Sequence, residues 1–152
     1  MAESKRSTVK LGQVVDVLKS FAPTNLAGSW DNVGLLVVHV YQDLQVEPSN
    51  AVVSQILLTI DLTEQVFLAR SHALQVLDEA IKQGCSLIIA YHPPIFSALK
   101  RLTQSDPKQR IIVKAIENKI AVYSPHTSLD AIAGGVNDWL ASGLGELAAS
   151  KV

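Results

Sequence analysis

The stretch SLIIAYHPP, residues 86–94, decides the fold, because an uninterrupted aliphatic run ends there on a histidine and two prolines. The same pattern returns in IAVYSPHTSLD, residues 120–130, and a third aliphatic run, ILLTID at residues 56–61, ends on an aspartate. Runs of this kind without polar alternation are typical of parallel strands covered on both faces. We therefore predict three mutually parallel and adjacent strands in one sheet: Val53–Ile60, Leu87–Ala90 and Ile120–Tyr123.

Helical patterns occupy the segments around the predicted strands. Four helices are expected: Val9–Ala22, Thr63–Gln83, a third that begins at Pro107 and ends at Asn118, and Val136–Ala141. Gly84 suits a left-handed cap after the second helix, and Asp106 suits the N-cap of the third. Strands that alternate with helices predict βαβ units. The expected fold class is α/β, with a mainly parallel sheet and helices on both faces.

The composition is that of a globular domain. The chain has 152 residues, of which 48% are hydrophobic and 18% are charged, with a formal net charge of −1. This charge gives no preference for nucleic acid or acidic membranes, and no apolar run is long enough to span a bilayer. We predict an α/β domain over residues 9–145, between a flexible N-terminal tail at 1–8 and a C-terminal tail at 146–152. The predicted location is the cytoplasm, with the nucleus and the mitochondrion as alternatives.

Four polar residues lie just past the ends of the predicted strands: Asp61, His92, His126 and Asp130. Open α/β sheets bind their ligands at the carboxyl edge, so these residues are expected to gather there. Imidazole and carboxylate groups together ligate divalent metals, and the two prolines after His92 hold its loop rigid. His126 and Asp130 are four residues apart, so a helical turn would put both on one face.

These residues also have plainer structural interpretations. His92 is then a hydrogen-bonded loop histidine, Asp130 bonds to backbone amides at a helix start, and Asp61, the weakest of the set, caps a turn. The sequence lacks a phosphate-binding glycine loop and a G-x-S-x-G elbow, and its one cysteine, Cys85, precedes a buried strand. A metal site is therefore favoured over nucleotide binding and nucleophilic catalysis.

Several motifs in the right order resemble the Nif-three-like family, whose members are also labelled GTP cyclohydrolase 1 type 2 proteins. The strongest are SWDNVGL at residues 29–35, YHPPIF at 91–96 and YSPHTSLD at 123–130. The stretches LTIDLT at 58–63 and GVNDWL at 135–140 also fit. The eukaryotic branch of the family matches best, and the resemblance covers most of Leu11 to Gly145.

The resemblance implies an α/β fold, a dinuclear metal centre and toroidal hexamers built from dimers. The family's metal ligands are an early His-His pair, an aspartate after a strand and a late His-x-x-x-Glu. By position, His92 matches the second histidine of the pair and Asp130 matches the aspartate, while His126 either binds the metal or orients Asp130. The expected cofactors are divalent ions of zinc, manganese or iron.

Three departures from the family pattern bear on this site. Tyr91 stands where many members have the first histidine, and the late His-x-x-x-Glu is missing from a chain that is short for the family. Two segments, Val38–Val46 and Phe67–Val76, look inserted. The resemblance thus predicts the N-terminal portion of the family fold, truncated at its C-terminus. With an incomplete ligand set, we expect a metal to bind weakly and with little selectivity.

Three functions agree with this sequence. In the first, a metal-activated water attacks an electrophilic carbon or phosphorus centre, as in a hydrolase, with little turnover by this chain alone. In the second, the protein is a non-catalytic interaction partner or transcription-linked co-regulator, with self-association among its contacts. In the third, a truncated form has no function of its own and exposes apolar surface that associates. Neither direct nucleic-acid binding nor a membrane partner is expected.

Overall fold

The computed structural model describes residues 9–38, 48–62, 76–103 and 105–144. Its strands are β1 (Val9–Lys10), β2 (Gly34–Val37), β3 (Val52–Val53), β4 (Ile56–Thr59), β5 (Leu87–Ala90) and β6 (Ala121–Ser124). Its helices are α1 (Leu11–Phe21), α2 (Val76–Gln83), α3 (Pro107–Glu117), α4 (Thr127–Ala131) and α5 (Val136–Ser142). In the residues described, no helix has the length and apolar character needed to cross a membrane.

The main sheet has four strands in the order β2-β6-β5-β4. Strand β5 lies between β4 and β6 and is parallel to both, while β2 pairs antiparallel with β6 at one end. The predicted adjacency and direction of the three central runs are therefore confirmed. Because the three strands are parallel, their carboxyl ends meet at one edge of the sheet.

Helices cover both faces of this sheet, as the sequence predicts. Alternate residues of a strand point to opposite faces. Ile88 and Ala90 belong to a core cluster with residues of α2 and α3, such as Leu77 and Ile112. Leu87 belongs to a second cluster with residues of α1. The near-continuous apolar character of β5 follows from burial on both sides.

One predicted strand is wrong in its extent. Val53–Ile60 is expected as a single strand, but β3 pairs antiparallel with β1 in a separate two-stranded sheet, and only β4 joins the main sheet. The break falls at Ser54 and Gln55, which bond to Ser86 instead of continuing a ladder. Ser54 N–H donates to the Ser86 hydroxyl at 3.2 Å, and Ser86 N–H donates to the Gln55 carbonyl at 3.1 Å.

The helix boundaries follow from local chemistry in most places. The first helix begins at Leu11 rather than Val9, because Val9 pairs with Val53 in the small sheet. The Asp106 carboxylate accepts from two backbone N–H groups of α3, as an N-cap should. Gly84 takes a φ of +70° after α2, the left-handed cap that the sequence predicts. The predicted start of the second helix and most of both apparent insertions lie outside the described residues.

Candidate metal centre

The predicted polar residues meet at the carboxyl edge of the main sheet. After β5, Tyr91 N–H donates to the Thr59 carbonyl and His92 N–H donates to the Ile60 carbonyl, both at 2.9 Å. The chain that leaves β5 therefore runs beside the end of β4, where Asp61 lies. Parallel strands with a common edge bring these residues together, as is usual for ligand sites of open α/β sheets.

His92 pairs with Asp61. The Nδ1 atom of His92 lies 2.8 Å from Asp61 Oδ1, and both side chains are about half exposed. An ionised carboxylate can only accept, so Nδ1 is the donor of this hydrogen bond, and in the neutral ring the lone pair is then on Nε2. Asp61, the weakest candidate from the sequence, is thus the residue that fixes the ring of His92.

His126 pairs with a second carboxylate, that of Asp31. The Nδ1 atom of His126 lies 2.7 Å from Asp31 Oδ1, and the Asp31 side chain is 0% exposed. Thr127 donates to Asp31 Oδ2 through its N–H at 3.2 Å and its hydroxyl at 2.5 Å. Asn32 N–H donates to Oδ1 at 2.7 Å. Burial raises the pKa of Asp31, but its hydrogen bonds outweigh burial, and the pKa lies below its ordinary value.

Asp31 belongs to the site although it does not follow a predicted strand. It lies within the motif at residues 29–35, in the loop between α1 and β2. Such an aspartate is usually a turn residue. Its partners His126 and Thr127 are 95 and 96 residues away in the chain. The only signal for Asp31 in the sequence is its place in the motif at residues 29–35, because its side-chain partners lie far along the chain.

The backbone of His126 is strained. Its φ of +33° and ψ of −124° fall in a region that residues with a side chain rarely adopt. Helix α4 begins just after it, with Ser128 N–H donating to the Pro125 carbonyl at 3.0 Å and Leu129 N–H donating to the His126 carbonyl at 2.9 Å. The helical turn expected between His126 and Asp130 is therefore present, with His126 at its N-cap. Strain of this kind concentrates at functional sites.

Asp130 is held by Tyr91. The Tyr91 hydroxyl donates to Asp130 Oδ1 at 2.6 Å. Burial raises the pKa of Tyr91 to about 12, helped by this hydrogen bond and by the charges of Asp130 and Asp31. Tyr91 is therefore a neutral phenol at physiological pH, and it acts as a hydrogen-bond donor to the carboxylate.

The aromatic rings of the site are in contact. The ring centroids of His92 and His126 are 5.6 Å apart, and that of Tyr91 lies 5.0 Å from His92 and 5.5 Å from His126. The rings of Trp30 and Phe96 each lie 6.4 Å from His126. The structure thus brings His92, His126 and Asp130 into one cluster, with Tyr91 in contact with all three.

The donor set fits a divalent metal only in part. Two imidazoles each offer Nε2, because their Nδ1 atoms are bonded to carboxylates. Asp130 has one oxygen bonded to Tyr91, which leaves the other. Across residues 9–38, 48–62, 76–103 and 105–144, no group of three His, Cys, Asp or Glu side chains is arranged to hold a metal ion. Catalytic zinc centres have three protein ligands that converge on one ion, and the three groups here do not converge in that way. The assignment of His92, Asp130 and His126 as ligands stays a prediction.

A family model and the similar proteins of known sequence point to the same family. The family model "Duf34/NIF3 (NGG1p interacting factor 3)" matches residues 9–151. The chain is 43% identical to NIF3-like protein 1 of Bos taurus over 143 residues, covering 93% of this chain and 33% of the relative. It is 39% identical to NGG1-interacting factor 3 of Saccharomyces cerevisiae over 137 residues, covering 89% of this chain and 44% of the relative.

A solved structure agrees with these relatives. The crystal structure of a Bacillus cereus protein related to NIF3 superposes with a TM-score of 0.73 at 34% identity, covering 91% of this chain and 33% of that chain. The α/β fold with a mostly parallel sheet is therefore shared. The chain spans about a third of the length of the bovine relative and of the Bacillus cereus protein.

Proposed function

The chain belongs to the Duf34/NIF3 family, and from this premise we propose that its strand-end cluster binds a divalent metal ion weakly. The ion is zinc, manganese or iron, and the proposed ligands are His92, His126 and Asp130. One observation carries the proposal: the Nδ1 atom of each imidazole lies within hydrogen-bond distance of a carboxylate, so Nε2 is the ring nitrogen left for a metal. Metal-binding histidines usually have this second hydrogen bond, which fixes the ring and the tautomer.

The binding is weak because the three proposed ligands are not arranged to hold one ion together in the described residues. Two imidazole nitrogens and one carboxylate oxygen leave the remaining coordination to water. Proton competition weakens the binding further as the pH falls through the histidine range, because a protonated imidazole cannot ligate. On this proposal the metal dissociates during dialysis and adds little thermal stability.

The chemistry supplied by a bound divalent metal is the activation of water for hydrolysis. Asp31 and Asp61 orient the imidazoles, and the Tyr91 hydroxyl donates a hydrogen bond to Asp130 Oδ1. This arrangement supports hydrolase-like chemistry, as the GTP cyclohydrolase 1 type 2 resemblance suggests. We propose such an activity for the complete family fold. We expect little turnover from this chain, which spans about a third of the length of its relatives.

Zinc titration tests the proposal. By isothermal calorimetry at pH 7.5, we expect the wild-type chain to bind zinc with a dissociation constant of about 1 μM or weaker. His92→Ala and His126→Ala should each weaken binding by about tenfold or more, because each removes a nitrogen ligand. Asp16→Asn, on the exposed side of α1, is the control and should bind like wild type. Equal affinity in wild type and both histidine variants would contradict the proposal.

A second candidate function is protein interaction. The yeast relative is named NGG1-interacting factor 3, and the described part of this chain exposes large apolar side chains around α5. Trp139 is 72% exposed and Phe21 is 62% exposed, and both line a cavity of about 310 Å³ together with Leu129 and Val136. Exposed apolar patches of this kind mark interaction sites. We propose that the protein self-associates through this surface. We also propose that it acts in the cytoplasm, with the nucleus and the mitochondrion as alternatives.

Sedimentation velocity tests the self-association. The wild-type chain should sediment in part as a dimer or larger species, in a concentration-dependent manner, because association buries the two aromatic side chains. Trp139→Ser should shift the distribution to the monomer. Trp30→Ser is the matched control, since Trp30 is also exposed but lies at the metal cluster. A monomer at all concentrations would exclude this surface as a self-association site.

A further inference from the structure

Three aromatic rings gather around the imidazole of His126. The ring centroids of Trp30 and Phe96 each lie 6.4 Å from that of His126, and that of Tyr91 lies 5.5 Å from it. The rings of Trp30 and Phe96 also contact each other, with their centroids 6.1 Å apart. Trp30 is 65% exposed and Phe96 is 47% exposed, so both still present aromatic surface to solvent. Exposed aromatic side chains beside a few polar groups are typical of ligand contacts.

Both exposed rings are held in place by the fold. The indole of Trp30 lies against the backbone of Gly28, where a Cβ atom would be only 2.7 Å from Trp30 Nε1 and 2.8 Å from Trp30 Cε2. Asn32 Nδ2 donates to the Ile95 carbonyl at 2.6 Å, which ties the loop of Trp30 to the loop of Phe96. A surface whose rings are already fixed loses little conformational entropy when a ligand binds. The two rings are therefore preorganised.

The surroundings of these rings carry negative charge. Asp31, Asp61 and Asp130 lie in the same cluster, and within the described residues their carboxylates accept only from histidine, threonine, tyrosine and backbone N–H groups. None of these partners is a lysine or an arginine. The pKa of Tyr91 is raised to about 12, first by burial and then by its hydrogen bond to Asp130 and the charges of Asp130 and Asp31. Such surroundings repel an anionic ligand and attract a cationic one.

We propose that the aromatic cluster, defined as Trp30, Tyr91 and Phe96, binds a quaternary ammonium group. Such a cation is held by the faces of aromatic rings and by nearby negative charge. A metal ion instead needs lone pairs that converge on one point. The described residues hold no group of three His, Cys, Asp or Glu side chains arranged in that way. The proposal goes beyond the weak metal binding proposed above and does not depend on it.

Choline is the probe that tests this site. In ¹H–¹⁵N spectra recorded with EDTA at pH 7.5, the two tryptophans of the chain give one indole signal each. Choline chloride should shift the Trp30 signal in a saturable manner, with a dissociation constant of about 1 mM. The Trp139 signal should stay in place, since Trp139 belongs to the surface around α5. The uncharged isostere 3,3-dimethylbutan-1-ol should bind about tenfold more weakly, because it has the same shape without the cation.

Leucine variants separate an aromatic contact from a merely apolar one. Trp30→Leu and Phe96→Leu should each weaken choline binding by about fivefold or more, measured from the N-methyl proton signal of choline. Trp30→Phe keeps an aromatic face and should retain most of the affinity, which a purely structural role of Trp30 would not require. Phe21→Leu is the matched control and should bind like wild type, since Phe21 is 62% exposed on the surface around α5. Circular dichroism verifies that each variant keeps the fold.

The outcomes decide the proposal without reference to zinc. Saturable choline binding that is lost in Trp30→Leu and retained in Trp30→Phe supports it. Equal affinity for choline and for its uncharged isostere overturns it, as does a Trp30 signal that choline does not move. Tighter binding of acetylated trimethyllysine amide than of choline would identify a modified protein side chain as the source of the ammonium group, and the reverse order would identify a small molecule. Because EDTA removes divalent metal, failure of the zinc titration leaves these results unaffected.

Discussion

Replacement of Asp31 by alanine should lower the free energy of unfolding by about 3 to 5 kcal/mol. The Asp31 carboxylate is inaccessible to solvent and accepts hydrogen bonds from the ring of His126, from Thr127 and from Asn32. Alanine removes all of these acceptors at once and leaves the donors unpaired. The same change frees the ring of His126 to rotate, so zinc affinity should fall by about tenfold.

Urea denaturation measures the first of these effects. Asp31→Asn retains one acceptor oxygen and should lose less stability than Asp31→Ala. The control is Asp16→Ala on the exposed side of α1, for which a change within about 0.5 kcal/mol is expected. If Asp31→Ala were as stable as the control, the buried hydrogen-bond network around Asp31 would be absent in solution.

The same carboxylate predicts a pH dependence. The pKa of Asp31 lies below its ordinary value in the folded state, because its hydrogen bonds favour the ionised form. The unfolded chain therefore binds the proton more readily, and stability decreases as the pH falls from the ordinary range through the lowered pKa. Asp31→Ala should lack this part of the acid sensitivity, so the stability difference between wild type and variant narrows in acid.

Replacement of Gly135 by alanine should cost about 3 kcal/mol of stability. A Cβ atom at this position would lie 2.1 Å from the Leu129 carbonyl oxygen and 2.9 Å from the Ile132 carbonyl oxygen. Both atoms belong to the backbone, so α4 and α5 must move apart. Because Asp130 is part of α4, we expect the metal affinity of the cluster to fall as well.

Gly134 is the matched comparison for this variant. It has a φ of +74°, but a Cβ there would meet no heavy atom within 4 Å. Gly134→Ala should therefore cost only the strain of a left-handed residue, about 1 to 2 kcal/mol. Thermal and urea unfolding measure the stability lost by each variant. The loss in Gly135→Ala reports the steric clash with the backbone, and the loss in Gly134→Ala reports the backbone strain. A smaller loss in Gly135→Ala than in Gly134→Ala would contradict the packing of α4 against α5.

The parts of the fold that the sequence predicts correctly rest on local patterns. The runs at residues 86–90 and 120–123 are buried on both sides, so their apolar character shows directly as strand. Local patterns do not predict that residues 52–60 divide between two sheets. This division depends on Ser86, which lies about thirty residues further along the chain. The helix start at Thr63 and most of both apparent insertions lie outside the described residues, so they stay predictions.

In the site, too, the residues next to strands could be predicted from the sequence, whereas contacts between residues far apart in the chain could not. His92, His126 and Asp130 follow strands, and the parallel sheet is enough to bring them together. Asp31 and the Tyr91–Asp130 hydrogen bond depend on contacts across 95 and 39 residues of sequence. A single sequence gives the residue types of such contacts but not their partners. The pairing of His92 with Asp61 and of His126 with Asp31 is therefore visible only in the structure.

Nitrogen NMR of the imidazoles tests the central claim most directly. In a long-range ¹H–¹⁵N spectrum of the uniformly labelled chain at pH 7.5, His92 and His126 should each show a protonated Nδ1 and an unprotonated Nε2. On zinc titration, the Nε2 signals of these two residues should shift. Nε2 signals of His92 and His126 that do not move at saturating zinc would contradict the proposed metal site.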